Sequence, residues 1–377
     1  MRLIKMFVIC ILSTALLSGC LPHTELDEQA IVEAIGIDYS DGEYEVTVQY
    51  FNMEGTGGNA PIDSTKANVV NISGKGDSVS AALNSASVKC GKSFMYGITG
   101  IIILGREALN QDILKTLSFA ESYYQSNPSV LAAAADKKAS DILGVKFKDG
   151  VISVEHLKML LNNAQYYGIC ENVMIHELLS EQRLKYTGTV LPVLSAKEQG
   201  GETTDDGKTV EITSGILLKN KAYARDLSFK EMSGLQLLSE NPANTLVSVE
   251  AEDEKVAVSI YDINADIKHS YSNEGLEFLI KLHANGKYTD SQLKSKNASF
   301  SQNIEALCAE YLKERIEKAL TATALENSCD PCGLKYVISS ADYSEWLRVS
   351  ESFGDFLSEA HFIVTCDIDI DRFGIIH

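Results

Sequence analysis

The residue whose chemistry is best defined by its surroundings is Cys20, which ends the tetrapeptide LSGC. A twelve-residue apolar segment, Met6–Leu17, leads into this tetrapeptide, and Arg2 and Lys5 precede the segment. A basic start, a short apolar core and small residues before a cleavage point are typical of an export signal, and this core is too short to span a bilayer. The pattern predicts a lipobox, in which the Cys20 thiol is acylated and residues 1–19 are removed as a lipoprotein signal peptide.

Acylation of Cys20 predicts attachment to the outer face of the cytoplasmic membrane. Each buried methylene contributes about 0.8 kcal/mol, so one acyl chain binds reversibly whereas two or more anchor firmly. We therefore expect a lipid-anchored, extracytoplasmic protein in which residues 20–30 form the lipidated N terminus and a tether. The alternatives are an ordinary signal peptide followed by a structural cysteine, and an uncleaved buried helix.

The other mature cysteines give weaker signals. Cys329 and Cys332 form a C-x-x-C pair, a spacing that occurs in redox sites and in one half of a zinc site. No second such pair and no H-x-x-x-H lies nearby, so a loop with a local disulfide or with two free thiols is favoured over catalysis. Cys308 and Cys366 lie at apolar positions of their segments, which predicts core packing.

Other patterns with chemical meaning are incomplete. Gly55–Ala60 fits a dinucleotide-binding fingerprint, but Pro61 follows where a helix must begin. Gly207–Thr209 lacks the earlier glycine of a P-loop, and the alternating aspartates of 367–371 lack the turn glycine and the last glutamate of a calcium loop. The histidines are isolated in sequence, without a zinc-hydrolase motif or a nucleophile elbow. We predict no catalytic residue, no cofactor and no metal site.

The charge of the chain excludes one class of partner. The mature chain from Cys20 keeps all 52 acidic residues and loses Arg2 and Lys5 from the 33 basic ones, which leaves a net charge of −21. Such a surface repels the phosphate backbone, so we predict no nucleic-acid partner. Adhesion to anionic lipid must then come from the acyl anchor. The acidity serves solubility equally well and names no ligand.

Apolar periodicity predicts strands and helices along the whole mature chain. Strands are predicted at Ala30–Ile37, Tyr44–Tyr50, Asn68–Ser73, Ile101–Leu104, Ser129–Ala135, Thr187–Leu194, Val210–Lys219, Thr245–Glu250, Val256–Ile267, Leu276–Leu282, Lys335–Ser339 and 362–370. Helices are predicted after Asp77, at Glu107–Gln125, Ser153–Tyr167, Asn172–Glu181 and Ile304–Leu325, and around Trp346. Asp41 and Gly42 suit a hairpin turn, and a change of apolar phase at Tyr261–Asp262 predicts a β-bulge.

These elements predict an α+β, mixed multi-domain fold of mainly antiparallel sheets, each packed with helices. The polar, glycine-rich segment Lys197–Lys208 is predicted to be a linker or a long loop. We place an N-terminal α/β domain at 31–148, a middle helical segment with the linker at 149–206, and a C-terminal α+β domain at 207–377.

Segments spread over nearly the whole mature chain resemble a known family. They are Glu25–Asp38, Gly97–Leu109, Ala139–Leu143 and Gly215–Glu231, followed by Asp330 with Gly333, Trp346 and the closing Asp371–Gly374. By their order and span, the chain resembles the Ger(x)C family, the lipoprotein C subunits of nutrient germinant receptors in endospore-forming bacteria.

The resemblance implies a fold of three domains that is specific to this family. It also implies a role beside two integral membrane subunits, one of them transporter-like, in the inner spore membrane. It implies no catalytic residues and transfers one functional position, the lipidated Cys20. Leu21–Pro22 stands where the family usually has Trp-Asp, and Cys329 and Cys332 are additions that a disulfide specific to this chain would use.

From the resemblance we expect a membrane-anchored, non-catalytic lipoprotein subunit that helps to couple germinant sensing to ion release. A tether raises the effective concentration of its partners to about the millimolar range, so weak docking surfaces suffice. The competing class is a lipoprotein solute-binding protein of a membrane importer, which predicts doubly wound lobes of alternating strands and helices. A third class, an anchored cell-wall hydrolase, lacks a catalytic constellation in the sequence.

Overall fold

A computed structural model describes most of the mature chain. The described residues are 28–51, 69–123, 129–146, 153–198, 207–239, 244–252, 254–272, 275–289 and 298–371. The export signal, Cys20 and Gly55–Ala60 lie outside these ranges, as does the chain beyond residue 371.

The first half of the chain builds a mixed sheet. Its strands are β1 (Gln29–Ser40), β2 (Glu43–Phe51), β3 (Val69–Gly76), β4 (Ser93–Met95), β5 (Ile101–Leu104), β6 (Leu131–Ala135), β7 (Val173–Met174), β8 (Gly188–Glu198), β9 (Lys208–Lys219) and β10 (Ala222–Leu227). They follow the order β10-β9-β8-β6-β5-β1-β2-β3, while β4 pairs with β1 and β7 with β6. The central pairs among β1, β5, β6 and β8 are parallel, and antiparallel hairpins extend the sheet on both sides.

Helices cover both faces of this sheet. They are α1 (Val79–Cys90), α2 (Ile113–Thr116), α3 (Ser118–Tyr123), α4 (Ala139–Leu143), α5 (Ser153–Tyr166) and α6 (Ile175–Arg183). Side chains of a strand alternate between its two faces, so Ile102 and Leu104 of β5 enter one core and Ile101 and Ile103 enter the other. A strand buried on both faces is continuously apolar, which is why the four residues of β5 are IIIL.

A smaller sheet follows in the second half. Its strands are β11 (Thr245–Ala251), β12 (Glu254–Ser272), β13 (Gly275–Tyr288) and β14 (His361–Ile370), in this order, and only the β13–β14 pair is parallel. Its helices are α7 (Phe229–Gln236), α8 (Ala298–Leu320), α9 (Leu334–Ala341), α10 (Tyr343–Val349) and α11 (Phe353–Ser358). The long helix α8 buries Ile304, Cys308 and Leu312 in the core of this sheet.

The predicted α+β class, with antiparallel-rich sheets covered by helices, is confirmed. The hairpin turn at Asp41 and Gly42 joins β1 to β2 as expected. The bulge is also confirmed, because the register between β12 and β13 shifts between Tyr261 and Asn264. The helix that we predicted at Glu107–Gln125 is broken instead, since the side chain of Asp112 accepts N–H bonds from Leu114 and Lys115 and starts a new helix.

Two further predictions concern the segments Lys335–Ser339 and Lys197–Lys208. The strand predicted at Lys335–Ser339 is wrong, because these residues lie in α9. Residues 199–206 of the polar segment Lys197–Lys208 lie outside the described ranges, but Glu198 at the end of β8 pairs with Lys208 at the start of β9, so the strands on either side of these residues belong to one sheet. The first sheet therefore continues past residue 207, and the division into three domains stays a prediction.

Candidate functional site

Three of the segments that carry the family resemblance meet at one carboxylate, Asp38, near the end of β1. Its Oδ1 accepts the backbone N–H of Ala139 at 2.7 Å, and its Oδ2 accepts that of Ser140 at 3.1 Å. These two N–H groups begin α4 and have no intrahelical partner. Gly105 lies against the same carboxylate so closely that a Cβ there would collide with Oδ1 of Asp38. The side chain of Asp38 is thus fixed by residues distant in sequence.

We expect Asp38→Asn to remove a pH-dependent part of the stability. Burial raises the pKa of the Asp38 carboxyl group above its ordinary value of 3.8, although the two N–H donors lower it. The folded state then holds the proton more tightly than the unfolded state, so the contribution of Asp38 to the free energy of unfolding is full below pH 3.8 and is lost as the pH rises through the raised pKa. Urea unfolding at pH values from about 4 to about 7 checks this. Stability of the wild type should fall relative to the variant over this interval; a constant difference would contradict it.

Charged pairs connect segments that are distant in the sequence. Arg106 donates from Nη1 and Nη2 to the two carboxylate oxygens of Asp226, at 2.5 and 2.8 Å. This bidentate pair lowers the pKa of the Asp226 carboxyl group. Arg225, the neighbour of Asp226, pairs with Glu231 of α7 at 3.1 Å and with Glu326 after α8 at 2.5 Å. The side chains of these pairs are partly exposed, so each pair adds little to the free energy of unfolding. The pairs mainly fix how the segments that carry them are oriented.

A loop, Cys329–Gly333, whose first two residues are buried, forms the joint between the two sheets. Asp330 in this loop is 2% exposed, and its two oxygens accept the backbone N–H groups of Leu334 and Lys335, each at 2.8 Å. Its own N–H donates to the carbonyl of Tyr186 at 2.9 Å, just before β8. Burial raises the pKa of the Asp330 carboxyl group, and the N–H donors act against this. One carboxylate thus starts α9 at the point where the two halves meet.

Side chains on both sides reinforce the joint. Nζ of Lys335 lies 3.0 Å from Oε2 of Glu181 in α6, and the Lys335 side chain is almost fully buried. The hydroxyl of Tyr186 donates to the carbonyl of Glu351, and its ring packs against the core of the second sheet. Gly234 of α7 lies so close to α8 that a Cβ would collide with a backbone carbonyl there. The two sheets are therefore held by packing as well as by hydrogen bonds.

The C-x-x-C pair lies in this joint. Cys329 is fully buried and Cys332 is half-buried, and both carry free thiols. Burial raises the pKa of the Cys329 thiol to about 12 and that of Cys332 well above its usual value. Both thiols are therefore protonated near neutral pH and are weak nucleophiles. A disulfide between them stays a prediction, and Cys308 takes its expected place in the core.

A cleft of ≈ 850 Å³ opens beside the joint, between the two sheets. Helix α6 and strand β8 line one side, and α9 and the bulged part of β12 line the other, with the end of α7 between them. The cleft was not predicted, because its walls come from segments that are far apart in the sequence.

Two of the histidines lie beside carboxylates. Nε2 of His269, whose side chain is 7% exposed, lies 3.3 Å from Oε2 of Glu345, and the exposed His283 lies beside Asp367. No group of three or more histidine, cysteine or acidic side chains suited to a metal ion occurs among the residues described above. Within the same ranges, no helix combines the length and the apolar character that a membrane crossing needs.

Comparison with known proteins gives a consistent result. A family model described as "Spore germination protein N-terminal domain" matches residues 22–196, and one described as "Spore germination B3/ GerAC like, C-terminal" matches residues 213–374. The chain is 21% identical to "Spore germination protein KC" of Bacillus subtilis (strain 168), covering 98% of this chain and 95% of that protein. It is 20% identical to "Spore germination protein A3" of the same organism, over 76% of this chain and 74% of that protein.

The fold is also similar to a solved structure, titled "Crystal Structure of the GerBC protein". The TM-score is 0.57 at 16% sequence identity, and the match covers 89% of this chain and 96% of the other. Together the two family models extend over nearly the whole mature sequence, in the order in which they occur here. The chain therefore belongs to the Ger(x)C family of spore germination proteins, a family of non-catalytic germinant-receptor subunits and not of enzymes.

Proposed function

We propose that this protein is a membrane-anchored lipoprotein subunit of a spore nutrient germinant receptor. It acts with two integral membrane subunits, one of them transporter-like, to trigger germination. The observation that carries the proposal is the ordered match of both family models to residues 22–196 and 213–374. The LSGC tetrapeptide at Cys20 supports the anchor, and the outer face of the cytoplasmic membrane, which is the inner membrane of the spore, is the proposed location.

The length of the tether supports a position close to the bilayer. Seven residues separate Cys20 from Glu28, and β1 begins at Gln29. A fully extended chain of this length spans at most about 30 Å. An acylated Cys20 would keep the start of β1, with β4 beside it, within that distance of the membrane surface. At such a distance membrane partners are met at about millimolar effective concentration.

The contacts at the joint support a role in which the two sheets move together as one rigid unit. Docking at one sheet can influence the other only if the two sheets move together. The N–H bond from Asp330 to Tyr186, the Lys335–Glu181 pair and the packing of the Tyr186 ring on the second core connect them. The competing class, a solute-binding protein of an importer, is disfavoured by family membership. It is also disfavoured by the small sheet, whose strands β11 to β13 run in succession without intervening helices.

Deletion of the gene in a spore former that lacks redundant receptors tests the proposal. We expect the response to nutrients to be lost, while germination by non-nutrient triggers continues, because only the receptor step is removed. Loss of optical density and release of ions after addition of nutrient measure the response. Wild-type nutrient germination in the deletion strain would contradict the proposal.

A further inference from the structure

Acidic residues are unevenly distributed along the chain. Residues 78–106 contain none, and this is the longest stretch of the sequence without one, although the chain holds 52. The stretch includes α1 and β4, and Lys89 and Lys92 lie where α1 ends and the chain turns into β4. Lys89 is exposed, and its Nζ donates to the carbonyl of Ser73 at 2.9 Å. The α1–β4 turn, residues 88–93, is therefore a locally basic part of a strongly acidic protein.

The same turn exposes an apolar side chain. Val88, near the end of α1, is 73% exposed, the highest value among the large apolar side chains of the described residues. Ile98, which follows β4, is 56% exposed, and its neighbour Thr99 donates from Oγ1 to the carbonyl of Val32 in β1. Single exposed apolar residues are common, but apolar side chains together with lysines are typical of surfaces that lie among lipid head groups. This composition occurs here at the end of the first sheet where β1 starts.

The turn lies where the tether enters the fold. Strand β4 pairs in parallel with the start of β1, with Ser93 opposite Gln29. Val88 precedes Ser93 by five residues, so their Cα atoms are at most about 18 Å apart. Seven residues separate Cys20 from Glu28, and an extended chain of this length spans at most about 30 Å. An acylated Cys20 thus brings this end of the first sheet close to the bilayer, together with one acidic side chain, that of Glu28.

The opposite end of the first sheet is acidic. Strand β1 has 12 residues, and its two ends lie about 36 Å apart at about 3.3 Å per residue. The hairpin that follows β1 carries Asp41, Glu43 and Glu45, and Lys75 of β3 offsets one of these charges, lying 3.7 Å from Glu45. A negative bilayer surface repels this end and attracts lysines that come within a Debye length of about 8–10 Å. Electrostatics therefore favours an orientation in which the hairpin points away from the bilayer.

We propose that the α1–β4 turn lies on the bilayer, with Lys89 and Lys92 at the phosphates of anionic lipids and Val88 among the head groups. The proposal rests on the lipid anchor proposed above and adds to it a fixed orientation of the folded chain. The anchor supplies the attachment, because the net charge of −21 opposes adhesion. The turn determines which end of the first sheet faces the lipid, and the hairpin at Asp41 faces away from it.

Quenching by brominated lipid tests the orientation. The full mature chain, isolated with its anchor, is reconstituted in vesicles of phosphatidylglycerol and phosphatidylcholine, with or without bromine near the start of the acyl chains. Val88→Trp places an indole in the turn, and Leu246→Trp is the matched control, at a 58% exposed position of β11 in the second sheet. After subtraction of the wild-type signal of Trp346, bromine should quench the Val88→Trp indole at least about twofold, because interfacial side chains enter to about 5–10 Å. The Leu246→Trp indole should not be quenched.

Charge reversal tests the contribution of the two lysines. In the Val88→Trp chain, Lys89→Glu with Lys92→Glu should lower the quenching at least about twofold, because each lysine near an anionic surface is attracted to it. Lys281→Glu with Lys287→Glu, at exposed positions of β13, makes the same change of net charge in the second sheet and should leave the quenching unchanged. Equal effects of the two pairs would contradict a lipid contact of the turn.

Flotation of the same vesicles separates the anchor from the orientation. A chain that does not float with the vesicles contradicts the anchor and, with it, the orientation. A chain that floats while its Val88→Trp indole is not quenched, or is quenched no more than that of Leu246→Trp, overturns the orientation alone. A turn that contacts a membrane protein instead of lipid gives this second result, because the vesicles hold no other protein. Ser93→Trp, at an exposed position of the turn, replaces Val88→Trp if that variant folds poorly, as judged by its thermal unfolding midpoint.

Discussion

Replacing Cys20 by alanine should release the protein from the membrane and reduce the nutrient response by at least about tenfold, to the level of the deletion strain. The expected loss follows from the physics of lipid anchors. At about 0.8 kcal/mol for each buried methylene, two acyl chains hold a protein firmly, whereas the net charge of −21 of the mature chain disfavours contact with an anionic bilayer. Without the anchor, the effective concentration of the partners falls from about the millimolar range to their bulk value.

Membrane fractionation and nutrient-triggered ion release measure this effect side by side. Cys10→Ala is the matched control, because Cys10 is a cysteine within the predicted export signal and would be removed with it. The control should leave both the membrane fraction and the nutrient response unchanged. A Cys20→Ala protein that stays in the membrane fraction and supports normal germination would contradict the anchor.

Asp330→Ala should destabilise the protein by about 2–4 kcal/mol. The substitution leaves the buried N–H groups of Leu334 and Lys335 without an acceptor, at about 1–3 kcal/mol for each buried donor. The raised pKa of the Asp330 carboxyl group indicates that its own burial is costly, so relief of this cost keeps the net loss below the sum of the two donors. The free energy of unfolding from urea titration measures the effect.

Asp342 provides a matched control for Asp330. It caps α10 in the same way, accepting the N–H groups of Ser344 at 2.9 Å and Glu345 at 3.1 Å, but it is exposed. Water can hydrogen-bond to these two N–H groups when the carboxylate is removed, so Asp342→Ala should lower the free energy of unfolding by about 1 kcal/mol or less. Equal losses for the two variants would show that burial of the Asp330 loop adds nothing to the joint.

Local patterns were sufficient to predict much of the fold. The alternation on either side of Asp41 and Gly42 and the phase change at Tyr261–Asp262 depend on the period of a strand, and both survive in the structure. The strand predicted at Lys335–Ser339 was wrong. Its apolar and β-branched residues favour a strand, whereas the buried carboxylate of Asp330 starts a helix there. The capping contact is local in sequence, and the hydrophobic period alone did not reveal it.

The candidate site was harder to predict than the fold. Asp38 lies 101 residues from Ala139, and Arg106 lies 120 residues from Asp226, so neither contact follows from periodicity. The signal available in the sequence was the family resemblance, since the segments that carry it contain all four of these residues. The cleft has no such signal, because its walls come from segments that are far apart in the sequence.

The mass of the N-terminal peptide, measured on protein isolated from spore inner membranes, tests the central claim most directly. A membrane-anchored receptor subunit predicts a mature chain that begins at Cys20, carries two or three acyl chains and is isolated together with two integral membrane proteins. A chain that keeps residues 1–19, or one that begins at an unmodified cysteine and is recovered alone from the soluble fraction, would contradict it.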